Sequence, residues 1–234
     1  MPVLYLIPTL LSENTFSKVI SPYVITVIHS LKQFVVEDIR TARRFISKSG
    51  HPLKIEQLSF HELNEHTKID EIAPLLPYLQ NFDTGVISDA GVPGVADPGA
   101  AVVRLAHENG IKVIPLVGPS SILMALMASG LNGQSFAFNG YLPIKQNERQ
   151  SCLRDLEHRS LREQQTQIFI ETPYRNMQLL EDILKCCKLD TLLTIAANIT
   201  APEEFILTKR VQQWKRKIPE LNKIPVVFLL LAEK

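Results

Sequence analysis

The sequence predicts an α/β protein built of two α/β domains. Short apolar runs alternate with amphipathic stretches along most of the chain, and glycines cluster in the middle. With 234 residues, 45% hydrophobic and 21% charged, the chain is long enough for one large core or two smaller ones. Runs at 3–7, 34–36, 55–58, 85–88 and 112–115 are rich in Val, Ile and Leu and bounded by turn residues, as strands are. Helical patterns at 23–31, 38–49, 70–80 and 100–109 fall between them, which implies a largely parallel sheet with helices on its faces. A second series has strands at 135–139, 167–171, 191–197, 204–208 and 226–231, with helices at 147–162 and 176–188. Some of its adjacent strands have room to be antiparallel. The predicted domains are 1–116 and 117–234.

Net charge is +1, so any contact with nucleic acid depends on a local basic patch. Cys152, Cys186 and Cys187 show neither CxxC nor Cys/His ligand spacing, so no disulfide framework and no metal site is expected. The start, MPVLYLIPTLLSEN, reads as a first strand, and no run of about 18 apolar residues is present. A cytoplasmic location and no membrane span are the resulting expectations.

Nine of the ten glycines lie between Gly85 and Gly140. Glycine is needed where φ is positive or where something approaches the backbone closely, so tight turns and a ligand are expected there. The first such turn is GVISDAGVPGVADPG, residues 85–99. A strand ends near Asp89, a glycine-bearing loop follows, and Asp97-Pro98 starts a helix as N-cap and first residue. The spacing is neither GxGxxG nor GxxxxGK[ST]. A carboxylate at that helix start would repel a phosphate, so a phosphate-free ligand with positive groups suits the turn. The alternative is that Asp89 only caps it. The second turn, IPLVGPSSILMALMASG (114–130), places Ser120 and Ser121 at a helix start, as ligand contacts or as ordinary N-caps. The helix that follows is apolar nearly all round, which predicts burial.

These turns resemble the SDAGxPxxxDPG and PGPSA signatures of the tetrapyrrole methyltransferases, which use S-adenosyl-L-methionine. EDIRTARR (37–44), FHELNE (60–65), FAFNGYLP (136–143), NER (147–149) and FIETPYR (169–175) are similar, in order, to segments of one branch of that family. That branch methylates a ribose 2′-hydroxyl of small-subunit ribosomal RNA. The resemblance implies two α/β domains of the tetrapyrrole methylase type with the cofactor cleft between them, a homodimer, and ribosomal RNA or the small ribosomal subunit as partner. It implies donor contacts at Asp89, Ala90, Gly91, Val92, Ser120 and Ser121, with backbone contacts near Ile170 and Ala197.

Two segments depart from the branch. PTLLSEN (8–14) stands where it reads PIGNLxD, and AANITAPEE (196–204) where it reads ARELTKxxEE. Candidate bases for a hydroxyl acceptor are Glu37, His61 and Glu65, although a carboxylate such as Glu37 can also offset a helix dipole and a histidine can be structural. Arg40, Arg43 and Arg44 are candidates for RNA phosphates or for a solvated helix face. Lys209-Arg210 and Lys215-Arg216-Lys217 flank Trp214, basic groups around one aromatic. Two other readings remain open: the same fold acting on a tetrapyrrole or another small molecule, and a donor-binding protein with little turnover.

Overall fold

The computed structural model describes residues 1–64, 67 and 72–233. The chain divides into two compact units, Met1–Ser120 and Ser121–Lys234.

The first unit is a five-stranded sheet in the order β3-β2-β4-β1-β5. Its strands are β1 (Val3–Ile7), β2 (Gln33–Val36), β3 (Ser59–Glu62), β4 (Thr84–Ile87) and β5 (Lys112–Pro115), and every pairing is parallel. Parallel strands need crossovers, supplied by α1 (Phe16–Val19), α2 (Pro22–Ser30), α3 (Ile39–Lys48), α4 (Leu76–Asn81) and α5 (Gly99–Glu108). Alternation along each strand feeds two cores. Ile7, Phe34, Val36 and Ile87 meet Val24, Ile28, Phe45 and Ile46 on one face. Leu4, Val35 and Val86 meet Leu79, Val102 and Ala106 on the other. Ser21 caps α2 by accepting the Val24 N–H, and Asp38 caps α3 by accepting the Thr41 N–H.

One strand expectation is corrected. The run at 55–58 forms a 3-10 turn over Ile55–Gln57, and the strand is β3 just after it. Ile55 and Leu58 join the core as the i and i+3 residues of that turn. The helix expected at 70–80 falls partly outside the described residues; α4 begins at Leu76.

The second unit has the order β6-β7-β10-β8-β9. Its strands are β6 (Phe136–Tyr141), β7 (Thr166–Ile170), β8 (Leu192–Ala197), β9 (Phe205–Arg210) and β10 (Val226–Leu231). Only β6 and β7 pair in parallel; β10 runs antiparallel to β7 and β8, and β8 to β9. Helices α7 (Gln146–Glu163), α8 (Asn176–Cys186) and α9 (Val211–Trp214) cover one face over Phe169, Ile195 and Phe228. Helix α6 (Ser121–Ser129) lies against β8, β9 and β10, where the Ser129 carbonyl accepts from the Thr208 hydroxyl. Burial all round is corrected for α6. It buries Ala125, Leu126 and Ser129, while Leu123 and Met127 are 50% and 83% exposed, because the sheet covers only one of its sides.

Candidate functional site

In a parallel sheet the carboxyl ends of the strands share one edge, where ligands bind. The first unit brings four connections to that edge, after β1, β2, β4 and β5. The loop after β4 is held from both sides. From β1, the Thr9 N–H donates to the Gly91 carbonyl at 2.7 Å and the Thr9 hydroxyl to the Ser88 carbonyl at 3.2 Å. From β2, the Glu37 Oε2 accepts the Asp89 N–H at 3.1 Å. Gly91, at φ 75°, turns the loop in the left-handed region; a Cβ there would lie 3.1 Å from Leu11 and 3.3 Å from the Pro119 carbonyl. The loop after β5 packs as tightly. A Cβ on Gly118 would fall 2.1 Å from the Pro8 Cβ.

Sequence reading missed Thr9, whose two bonds fix the loop it selected. It also placed Asp97 one step early as a helix cap. Pro98 occupies the cap position, and the Asp97 carboxylate accepts the N–H groups of Gly94 and Gly99, both at 2.8 Å. A carboxylate still fills the start of α5, so that end offers no phosphate seat.

The site is acidic. The Glu37 carboxyl is shifted up, first by burial and then by repulsion from Asp89 and Asp97, against the lowering effect of the Asp89 N–H. Asp89 is shifted up by partial desolvation in its loop and by repulsion from Asp38 and Asp97. Asp38 is held below its usual range by hydrogen bonds from Thr41, with Arg40 beside it. Clustered carboxylates with raised pKa values are poised for a cation and disfavour a phosphate.

The other candidates separate. His61 lies on β3 with its ring centroid 4.4 Å from that of Tyr78; its Nε2 is buried without a hydrogen-bond partner among the described residues, and burial lowers its pKa. Glu65 lies outside the described residues. On α3, the Arg43 guanidinium sits 5.2 Å from the Phe60 ring centroid, while Arg44 lines a pocket with Asp89. Trp214 is 1% exposed, donates to the Leu193 carbonyl and lies under Lys209, so its ring is no stacking platform for a base.

Within the second unit, Ile170 ends β7 and Ala197 ends β8. After β7, the buried Glu171 accepts from the Thr172 N–H and from Arg175, each at 2.7 Å. After β8, Asn198 (φ 51°) and Thr200 (φ 74°) adopt left-handed backbone. Asparagine tolerates this, but a β-branched residue does not without strain. Replacing Thr200 with glycine is expected to raise stability by about 1 kcal/mol, read from denaturant midpoints at unchanged slope. A fall in midpoint would refute the strain. Among the described residues, no group of three or more His, Cys, Asp or Glu is placed to hold a metal, and no helix is long and apolar enough to cross a membrane.

No family model matches the chain. The ribosomal RNA small subunit methyltransferase I of Vibrio cholerae is 31% identical over 205 residues, covering 88% of this chain and 67% of that protein. The protein of the same name from Pasteurella multocida is 31% identical over 209 residues, covering 88% and 72%. Among solved structures, the methyltransferase CobJ superposes with a TM-score of 0.62 at 20% identity, covering 99% of this chain and 93% of that one. Uroporphyrin III C-methyl transferase from Thermus thermophilus gives 0.55 at 14% identity, covering 98% and 97%. These two likenesses bear on the fold alone.

Proposed function

The chain belongs to the ribosomal RNA small subunit methyltransferase I family, within the tetrapyrrole methylases, and from that premise we propose that it methylates small-subunit ribosomal RNA at a ribose 2′-hydroxyl. It is a methyltransferase whose methyl donor is S-adenosyl-L-methionine. The observation that carries the donor site is the carboxylate cluster on the loop after β4, where Glu37, Asp89 and Asp97 face one another at the carboxyl edge of the sheet.

The donor supplies a methyl group on a positively charged sulfonium, and its amino group is a second cation. Asp89 meets that charge, Ala90, Gly91 and Val92 present backbone at a point glycine leaves open, and Ser120 and Ser121 offer hydroxyls. Ile170 and Ala197, at strand ends of the second unit, are the proposed backbone contacts there. Orientation is the main contribution of such residues, since alignment alone supplies about 7–11 kcal/mol in favourable cases. Of the candidate bases, Glu37 is best placed. Its raised pKa brings it nearer the working pH, and the Asp89 N–H fixes one oxygen. His61, packed on Tyr78, has a structural position. A homodimer and a cytoplasmic location belong to the same proposal and rest on the family resemblance.

The test is transfer of a labelled methyl group from the donor to small ribosomal subunits that lack the modification. Incorporation supports the reading. Donor binding without incorporation into RNA favours the small-molecule or donor-binding alternatives. Asp89→Ala is expected to weaken donor binding about 10- to 100-fold in calorimetry, the loss of a charge-assisted contact of ~1.5–3 kcal/mol. An unchanged affinity would remove Asp89 from the site.

The pH dependence follows from the raised carboxyls. A cation needs the ionised form, so donor affinity falls as pH drops through the Asp89 pKa, and the fall begins above the usual carboxylate range near ~4. Stability runs the other way. A carboxyl with a raised folded pKa contributes stability below its unfolded pKa and loses it as pH rises. Without donor, the site is therefore least comfortable at neutral pH, and Glu37→Gln is expected to stabilise the donor-free protein while lowering turnover. A Glu37→Gln protein with full turnover would exclude it as the base.

A further inference from the structure

Beside the donor loop the first unit holds a second feature that donor binding does not use. A pocket of about 250 Å³ opens between the loop after β1, helix α3 and the loop after β4. Leu10, Leu11 and Phe45 give it apolar walls, and Asp89 stands on one side. Arg44 and Lys48, four residues apart on α3, stand on another. Neither cation has an ion-pair partner among the described residues. Their neighbours on the helix are engaged: Arg43 lies over Phe60, and Arg40 is beside Asp38.

We propose that this pocket receives one unpaired nucleotide of the RNA acceptor, with the base against Leu10, Leu11 and Phe45 and a phosphate on Arg44 and Lys48. The inference rests on the RNA reading above and deepens it: the substrate is recognised as a nucleotide drawn out of its stack, not as a duplex. Three features agree on that chemistry. An apolar slot suits the faces of a base, and two cations one turn apart suit a phosphate. The volume is the third. Pockets for drug-sized ligands run from roughly 300 to 1,000 Å³, so this one is sized for a single base and not for a four-ring macrocycle. An enzyme acting on one nucleotide must also reach it, which stacked duplex prevents. The walls from Leu10 and Leu11 belong to the loop that departs most from the family pattern, so this pocket is where the chain's own preference would be set.

The experiment is equilibrium binding of a short fluorescein-labelled single-stranded oligoribonucleotide, alone and annealed to its complement, over a range of salt. It is run with S-adenosylhomocysteine present and absent, on the wild type and on Arg44→Ala/Lys48→Ala. Both substituted side chains are exposed, and calorimetry with the donor reports that the double variant is folded. The expected result is tighter binding of the single strand than of the duplex. The double variant should lose at least ten-fold in affinity, and its log–log salt slope should be shallower by about 1.4, or ~0.7 per phosphate contact on a single strand. An unchanged slope, or equal binding of duplex and single strand, overturns the inference and leaves the RNA reading standing. Displacement of the RNA by S-adenosylhomocysteine also overturns it, because the pocket would then belong to the donor. A wild type that binds donor but no RNA overturns the acceptor reading and this inference with it.

Discussion

Gly118→Ala is expected to cost about 1–3 kcal/mol and to abolish measurable donor binding. The new methyl carbon would fall 2.1 Å from the Pro8 Cβ and 2.2 Å from its Cγ. Neither side can yield easily. Pro8 is a buried ring with a fixed φ, and Gly118 leads the chain toward Ser120 and Ser121. Whatever moves, the damage spreads along the loop after β1. Pro8 precedes Thr9, and Thr9 holds the Ser88 and Gly91 carbonyls. The donor loop thus loses one of its two anchors, although the substitution is on neither. Thermal denaturation should show a drop of roughly 2–4 °C per kcal/mol for a chain of this size. Gly133→Ala is the control. Nothing lies within 4 Å of a Cβ there, so its stability should stay within about 0.5 kcal/mol of the wild type. Pro8→Gly in the Gly118→Ala background should recover part of the binding, a coupling that a double-mutant cycle would measure. If Gly118→Ala binds donor like the wild type, the two loops do not depend on each other as their packing indicates.

The Pro8–Gly118 contact also shows where sequence reading stops. The glycine cluster and the apolar runs are local signals, and they located the strands of the parallel sheet well because each buried strand is a continuous run of Val, Ile and Leu. The edge strand β3 was placed too early for the same reason. It is half-buried and reads SFHE, whereas the more apolar residues just before it fold into a turn. Asp89 and Glu37 each stood out as a carboxylate at a strand end. Nothing in the chain announced that one accepts the N–H of the other across 52 positions. The pairing exists because β2 and β4 are neighbours in the sheet. Sorting Arg40, Arg43 and Arg44 into different surroundings needed the position of Phe60 and of the loop after β1. The Thr200 strain was invisible too, because a threonine in a loop carries no mark of a positive φ.

Arg149→Ala is expected to destabilise the second unit by about 3–5 kcal/mol, more than any surface substitution in the chain. Sequence resemblance marked Asn147-Glu148-Arg149 only as a turn. In the structure Arg149 is 4% exposed and pairs with Asp182 of α8 at 2.6 Å. Its Nη1 also donates to the Ile144 carbonyl at 2.6 Å, which ties the segment after β6 to the start of α7. Gln146 and Gln150 donate to the second oxygen of Asp182. Truncating Arg149 leaves a buried carboxylate with two amides and no cation, and frees the carbonyl of Ile144. The pH profile separates this account from simple loss of packing. Burial opposes ionisation of Asp182, but the hydrogen bonds from Gln150, Arg149 and Gln146 outweigh it, and the pKa is lowered. A lowered folded pKa means stability that is present above the unfolded value and lost as pH falls through the folded one. The wild type should therefore lose this contribution only in acid. In Arg149→Ala the remaining carboxylate is desolvated and uncompensated, its pKa rises, and the sign reverses: moderate acid should stabilise the variant relative to itself at neutral pH. Arg149→Met with Asp182→Leu removes both charges and should recover much of the loss, since a buried ion pair exchanged for apolar groups of similar size is often close to neutral. Denaturant midpoints of the three proteins at neutral pH and in mild acid decide it. Equal midpoints for Arg149→Ala and the double variant at both pH values would mean that the cost lies in lost volume and not in an abandoned charge.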